Sequence, residues 1–186
     1  MSDVEIRSIP MALRASEDTR KIRGHAIVFD SKSVNLGGFR EIIRSEAVDR
    51  TIREALDVRA YVDHDSSKII GRTRAGTLML RKESRGLFVE IDPPNTTAGN
   101  DILESIRRGD VTGMSFGFRV LEDEWRDEEG EPVREVLDMT ISEVSIVSNP
   151  AYPQTDVAVA MRSLDKFKAS GMAIAFAEKL HRTRLI

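Results

Sequence analysis

The feature that most constrains this chain is a serine placed between two glycines inside an alternating pattern of residues. Large apolar side chains recur at every second position across 114–120, and the positions between them carry Ser115, Gly117 and Arg119. A period of two is typical of a β-strand with one buried face. The preceding stretch, 106–110, is typical of a helix end with its glycine cap. The sequence therefore predicts that Ser115 projects from one face of a strand while large apolar groups pack the other.

The G-x-S-x-G pattern at 113–117 also occurs in the nucleophile elbow of α/β-hydrolases, where a serine sits on a strained turn between a strand and a helix. The order here is different, because a helix end precedes the serine and a strand contains it. An α/β-hydrolase esterase with His181 as its base fails on these surroundings and on chain length. A serine nucleophile of another class remains open, and it needs a base.

Three histidines limit the choice of that base to positions 25, 64 and 181. His64 is the best candidate because it follows a short apolar run in an acidic turn, where a scaffold strand commonly presents a catalytic side chain to a cleft. His25 begins an apolar strand and is more typical of a strand face, and His181 lies in a basic segment. An ordinary turn or surface histidine at position 64 is the alternative.

A third group that orients the imidazole would be a carboxylate or a second imidazole. Glu143 is the candidate because it lies in a β-rich run, 139–148, where a carboxylate is unusual unless it is paired or faces water. A charge that protects an edge strand from aggregation is an equally weighted alternative.

The remaining patterns predict a β-rich body with a few helices. Two strands are expected across 77–91, and the prolines that follow end the ladder. Helices are expected at 97–108 and at 46–56. The acidic stretch 122–131, which holds the tryptophan, is most simply a solvated hairpin tip.

Composition excludes several classes of protein. A chain of 186 residues with 40% hydrophobic content can bury one core, so a single domain is expected. The absence of cysteine excludes a disulfide scaffold and fits a reducing compartment. Neither a membrane span nor a secretion signal is expected, since no apolar run approaches about 18 residues and the first residues lack a basic and apolar leader. Scattered histidines and no calcium-loop spacing predict no metal and no cofactor.

The last 26 residues form a separate electrostatic segment. Residues 161–186 hold six Lys or Arg against two acidic residues, although the whole chain has a net charge of −3. Alanines and spaced apolar residues predict a helix there. We expect a domain at 1–160 followed by this basic helical tail. Specific nucleic-acid binding is not expected, because it would need denser charge and aromatics. The opposite charge of the tail suggests a docking contact with the body or with an acidic scaffold; an ordinary amphipathic closing helix, core packing and a homodimer contact are the alternatives.

Several of these segments together resemble one family, the prohead maturation proteases of tailed phages, which are similar to the herpesvirus assemblins. The resemblance covers roughly 23–161. Each segment is weakly specific alone, but their order and spacing together are fairly specific. The segments are 24–29, 63–65, 71–73, 113–118 and 143–152.

The resemblance implies an α+β fold with a small β-barrel or a strongly curved, antiparallel-rich sheet flanked by helices. It implies a serine endopeptidase with Ser115 as nucleophile, His64 as general base and Glu143 as third member, although assemblins use a second histidine in the third place. Backbone near 149–151 would supply the oxyanion donors. The substrates would be the scaffold portion of the capsid subunit and the protease itself, cut inside an immature capsid in the host bacterial cytoplasm. A non-catalytic capsid-assembly or scaffolding module with the same fold is the alternative.

Overall fold

The fold is taken from a computed structural model, which describes residues 4–10, 13–15, 19–148 and 158–183. In this part of the chain, helices and strands follow one another in the order β1 (Glu5–Pro10), β2 (Arg14–Ala15), β3 (Ile22–Val28), β4 (Arg40–Ile43), α1 (Asp49–Arg53), β5 (Arg59–Val62), β6 (Asp65–Arg72), β7 (Leu78–Lys82), β8 (Gly86–Ile91), α2 (Thr97–Arg108), β9 (Gly113–Glu128), β10 (Glu131–Val147) and α3 (Ala158–Thr183). Two short 3-10 turns, Ser45–Val48 and Thr73–Ala75, lie just before α1 and just after β6.

The strands form two sheets. The larger has the order β1-β9-β10-β5-β6, and β4 also pairs with β10; the smaller has the order β2-β3-β8-β7. The pairs β10–β4 and β10–β5 are parallel and the others are antiparallel. The expected α+β class is therefore confirmed. The barrel is not confirmed, since the described strands form two sheets and no closed barrel.

A long hairpin of β9 and β10 forms the centre of the larger sheet. Its turn consists of Glu129 and Gly130, both with positive φ (54° and 88°), as two-residue hairpin turns with the right twist require. The expectation that Ser115 lies inside a strand with period-two alternation is confirmed by β9.

The main core lies between the two sheets. The larger sheet contributes alternating residues of β9 and β10, and the smaller sheet contributes β3 and β8. Each fully buried side chain of this size stabilises the fold by about 1.5–3 kcal/mol relative to an exposed one. The largest contributors from these four strands are Ile22, Ile27, Leu87, Ile91, Met114, Phe116, Phe118 and Met139.

One of the two expected central helices is confirmed and the other is shorter than expected. Helix α2 occupies the predicted range, with the Thr96 hydroxyl accepting from the Gly99 N–H at its start and Gly109 at φ 81° after its end. The predicted helix 46–56 is instead a 3-10 turn followed by the five residues of α1. The helix ends because Ala55 has a positive φ of 46° and the Leu56 N–H donates to the Thr51 carbonyl at 3.1 Å, which does not continue the helical pattern. The hydroxyl of buried Thr51 accepts from the Ile141 N–H at 3.1 Å and ties α1 to β10.

Helix α3 packs against the β9–β10 hairpin. Trp125 of β9 lies between Phe39 and Phe167, with ring centroids 5.2 and 6.0 Å away, and its indole N–H donates to Ser163 Oγ at 2.8 Å. The segment 122–131 is thus more than a solvated tip. A division of the chain at residue 160 stays a prediction, although buried Leu164 belongs to this contact. None of the helices in the described residues combines the length and apolarity that crossing a membrane requires.

Candidate active site

His64 lies on a tight turn between β5 and β6. Val62 pairs with Asp65, so Asp63 and His64 alone form the turn, with φ of 48° and 60°. Positive φ at both central residues is characteristic of a two-residue hairpin turn. The turn is tied to the end of β10, because the Asp63 N–H donates to the Ile146 carbonyl at 2.9 Å and Asp63 Oδ1 accepts from the Ser148 N–H at 2.9 Å. The position of His64 is therefore fixed relative to β10.

The imidazole of His64 is hydrogen-bonded to Glu143. The bond joins Nδ1 to the Glu143 carboxylate, and the two side chains are 21% and 16% exposed. An ionised carboxylate only accepts, so this bond places the proton of a neutral ring on Nδ1 and leaves Nε2 as the acceptor. The pair has the connectivity of a general base and its orienting carboxylate.

A β-bulge turns Glu143 onto the face where this bond forms. Ile141 pairs with Phe118, and the next register pair is Glu143 with Gly117, so Ser142 is the extra residue. Just before this bulge Met139 and Ile141 face the core, and just after it Val144 and Ile146 do. Without the bulge Glu143 would point into the apolar core.

Gly117 provides the space that the Glu143 side chain occupies. A Cβ added to Gly117 would lie 2.7 Å from Glu143 Cγ and 3.2 Å from its Oε1. The second glycine of the G-x-S-x-G pattern therefore permits the carboxylate to lie against the backbone of β9. A glycine in a strand interior often marks such a close approach, and this sequence signal was not used to place Glu143.

Ser115 lies on the same face as Glu143, but its hydroxyl has a different partner. Its side chain is fully buried, and Oγ donates to the Arg7 carbonyl of β1 at 2.9 Å. In the described structure no hydrogen bond joins Ser115 to His64. In strand order, Arg7 lies on one side of β9, whereas β10 and then β5 lie on the other. The serine hydroxyl is thus turned away from the imidazole.

Ser145 occupies the position between these groups and was not predicted from the sequence. It is opposite Ser115 on β9 and opposite Tyr61 on β5. Its side chain is fully buried, and its hydroxyl has no hydrogen-bond partner among the described residues. Glu143 stands two residues earlier and therefore on the same face.

A fixed negative charge follows His64 in the chain. The Ser67 hydroxyl and amide N–H donate to Asp65 Oδ1 at 2.6 and 2.9 Å. These bonds, with a smaller contribution from Lys68, lower the pKa of Asp65 to about 2. The turn therefore carries an ionised carboxylate at any pH near neutral.

The other histidines do not join this site in the described structure. His25 lies in the smaller sheet, where its Nε2 is 3.1 Å from Glu83 and its ring meets Phe88 edge-on. The side chain of His181 and the segment 149–151, expected to hold oxyanion donors, lie outside what the structure describes. No group of three or more metal-ligating side chains occurs in the described part of the chain.

Comparison with solved structures identifies the fold. The structure of the bacteriophage T4 capsid assembly protease, gp21, is similar, with a TM-score of 0.53 over 78% of this chain and 97% of that chain. The two sequences are 10% identical, so this likeness concerns the fold alone.

Comparison with protein families gives the class. The sequence model of the caudovirus prohead serine proteases matches residues 8–170. The chain belongs to the caudovirus prohead serine protease family, as the resemblance in its motifs predicted. No curated protein matches the sequence.

Proposed function

We propose that this chain is a serine endopeptidase that cleaves the scaffold segments of capsid subunits, and itself, during prohead maturation. Ser115 is the nucleophile, His64 the general base and Glu143 the group that orients His64. The observation that carries the proposal is the bond between His64 Nδ1 and Glu143 on the face of the sheet that holds Ser115.

The mechanism uses the free nitrogen of the His64 ring. Nε2 takes the proton of Ser115 as Oγ attacks the peptide carbonyl, and the imidazolium then protonates the leaving amine. A water molecule then attacks the acyl-enzyme, with Nε2 taking its proton, and the imidazolium protonates Ser115 Oγ as it leaves. Glu143 holds the ring in the tautomer that accepts at Nε2 and stabilises the imidazolium.

The distances between strands are compatible with this transfer. Neighbouring strands are about 4.8 Å apart, so β9 and β5 are separated by roughly 10 Å with β10 between them. The His64 side chain already reaches β10 to bind Glu143. The remaining step is a rotation of Ser115 about χ1, which moves its hydroxyl from the Arg7 carbonyl toward β10.

The substrate class and the place of action follow from the family. A protease of proheads acts within capsid assembly in the host, and the similar T4 protein is a capsid assembly protease. These names support capsid subunits as substrates and the interior of the prohead, in the host bacterial cytoplasm, as the site of cleavage.

One observation favours a second candidate, a non-catalytic assembly module with an idle site. Ser115 is fully buried and its hydroxyl is bound to a backbone carbonyl. A nucleophile in that state cannot attack a peptide without rearrangement. The enzyme is preferred because an idle site would not need the bulge at Ser142 and the space at Gly117 that together place Glu143 beside His64.

The test is mass spectrometry of the capsid subunit co-expressed with this chain. We expect cleavage of both proteins with the wild-type chain and none with Ser115→Ala. Ser8→Ala is the matched control, since Ser8 is the register partner of Ser115 on β1 and should be dispensable. Equal processing by Ser115→Ala would contradict the serine mechanism, and absence of processing by the wild-type chain would favour the assembly module.

A further inference from the structure

The hydroxyl of Ser145 is an unexplained polar group in the described structure. It is fully buried and makes no hydrogen bond, although its strand pairs on both sides. A buried hydroxyl without a partner costs on the order of 1–3 kcal/mol, and such exceptions in folded proteins call for a reason. Packing gives none, since alanine would fill almost the same space.

The neighbours of Ser145 suggest its partner. Ser115 is directly opposite it on β9, and directly opposite residues of antiparallel strands have Cβ atoms about 4.5–5.5 Å apart. Two serine hydroxyls at that separation can form a hydrogen bond once their χ1 angles direct them at each other. Here the Ser115 hydroxyl is directed the other way, to the Arg7 carbonyl of β1.

The order of the strands sets the direction in which the Ser115 hydroxyl must rotate to reach Ser145. Arg7 lies on the β1 side of Ser115, while Ser145 lies on the β10 side, toward Glu143 and the turn with His64. A rotation of Ser115 that leaves Arg7 and satisfies Ser145 therefore moves Oγ toward the imidazole. One rotation removes the unpaired hydroxyl and brings the nucleophile toward its base.

We propose that Ser145 is a positioning residue of the peptidase: its hydroxyl donates to Ser115 Oγ and holds it on the His64 side of β9. The inference rests on the proposed function, because it assigns a role within that mechanism. The Ser145 O–H bond stays intact throughout. The proton of Ser115 passes to His64 Nε2 while Oγ bonds the carbonyl carbon, and the Ser145 hydroxyl remains as a donor to that oxygen during attack.

If Ser145 has this role, replacing it with alanine should slow the reactions of Ser115 without lowering the stability of the fold. Ser145→Ala removes a buried hydroxyl that has no partner in the resting arrangement, so the melting temperature should be unchanged or higher. The same change leaves Ser115 bound to Arg7 and should slow its reactions. A purely structural hydroxyl would lower the melting temperature when removed.

The experiment measures the rate at which a fluorophosphonate probe labels the full chain, together with thermal unfolding. In this reaction Ser115 Oγ bonds phosphorus, fluoride leaves and His64 accepts the proton, so no peptide substrate is needed. We expect Ser145→Ala to label 10- to 100-fold more slowly than wild type without a loss of melting temperature. Ser145→Cys, which keeps a weak donor of similar size, should have an intermediate rate.

Two control variants separate the possible outcomes. Ser8→Ala removes the hydroxyl on the other side of Ser115 and should label like wild type. Ser115→Ala should not label at all. If Ser145→Ala labels at the wild-type rate while Ser115→Ala does not label, the role of Ser145 is overturned and the proposed function stands. A melting temperature several degrees lower for Ser145→Ala also overturns it. If the wild-type chain does not label, or Ser115→Ala labels equally, the proposed function fails and the inference fails with it.

Discussion

The larger sheet carries two clusters of polar residues, one on each face of β9, and they differ in how completely their side chains are hydrogen-bonded. On one face Arg7 and Arg134 bind Glu5 and Glu41, with nitrogen to oxygen distances of 2.7–3.1 Å. On the other face His64 binds Glu143, Ser115 binds a backbone carbonyl, and the Ser145 hydroxyl binds no residue that the structure describes. We call the first the ion cluster and the second the serine face.

The buried residues of the ion cluster keep one another charged. Burial by itself lowers the pKa of Arg134, but the hydrogen bonds and charges of Glu5 and Glu41 raise it above its ordinary value. All four side chains are almost fully buried, and they join β1, β4 and β10. None of its buried side-chain nitrogens and oxygens lacks a partner in the described structure, so we infer that the cluster holds β1, β4 and β10 together.

The serine face has the opposite character. Its two hydroxyls are opposite each other without being bonded to each other, and the His64 imidazole keeps one nitrogen unbound to described residues. The difference shows that burial of polar groups alone does not indicate chemistry. We infer that incomplete pairing beside a histidine is what marks the serine face as the candidate active site.

The largest expected effect comes from replacing His64, the proposed base of the serine face. His64→Ala should lower the rate of Ser115 labelling or of peptide cleavage by about 10³- to 10⁶-fold, as loss of a catalytic histidine does. His25→Ala is the matched control, because His25 is also paired with a glutamate, Glu83, but lies in the smaller sheet. An equal loss in both variants would show that paired histidines matter here for folding.

We expect a mutation in the ion cluster to lower the stability of the fold. Arg134→Met leaves Glu5 and Glu41 buried with fewer partners, and the free energy of unfolding should fall by about 3–5 kcal/mol. Denaturant unfolding measures it. Adding Glu41→Gln to Arg134→Met should restore part of the loss, since one uncompensated charge is then removed. No recovery would contradict the electrostatic explanation.

Gly117→Ala should affect activity more than stability. The added Cβ would lie 2.7 Å from Glu143 Cγ, so the carboxylate must shift away from its bond with His64. We expect labelling of Ser115 to slow by roughly 10- to 100-fold, comparable with losing the support of a catalytic group. Gly171→Ala is the control, because its added Cβ meets nothing within 4 Å. Unchanged labelling in Gly117→Ala would remove Glu143 from the mechanism.

The smallest expected effect comes from a pair at the surface. Arg50 Nε donates to Asp138 at 3.0 and 3.1 Å and holds the pKa of Asp138 below its ordinary value. A lowered folded pKa gives stability that is complete above the unfolded pKa of about 3.9 and is lost as pH falls through the folded value. Asp138→Asn should therefore cost up to about 1 kcal/mol at pH 7. The difference in melting temperature from wild type should shrink toward pH 2, and a difference that grows in acid would contradict this sign.

Local patterns predicted much of this structure. The alternation around Ser115, the capped helix 97–108 and the strands across 77–91 were all readable because they depend on neighbours in sequence. The expected helix 46–56 is too long, because Ala55 adopts a positive φ of 46° that the local pattern of this alanine does not indicate. The tryptophan at 125 was assigned to solvent because its partners, Phe39 and Phe167, are remote in the chain.

The sequence by itself determined the strand that carries Ser115, the turn that carries His64 and the candidacy of Glu143, since period, turn chemistry and an out-of-place carboxylate are local properties. Tertiary structure alone decided which groups meet. The bulge at Ser142 and the space at Gly117 place Glu143 against His64, and the pairing of β1 with β9 directs the Ser115 hydroxyl to Arg7. The surroundings of Ser145 depend on β5 and on the β9–β10 hairpin, which are remote from each other in the chain. The physical reason is that a hydrogen bond depends on positions within a few tenths of an ångström, and strand register across the sheet sets those positions.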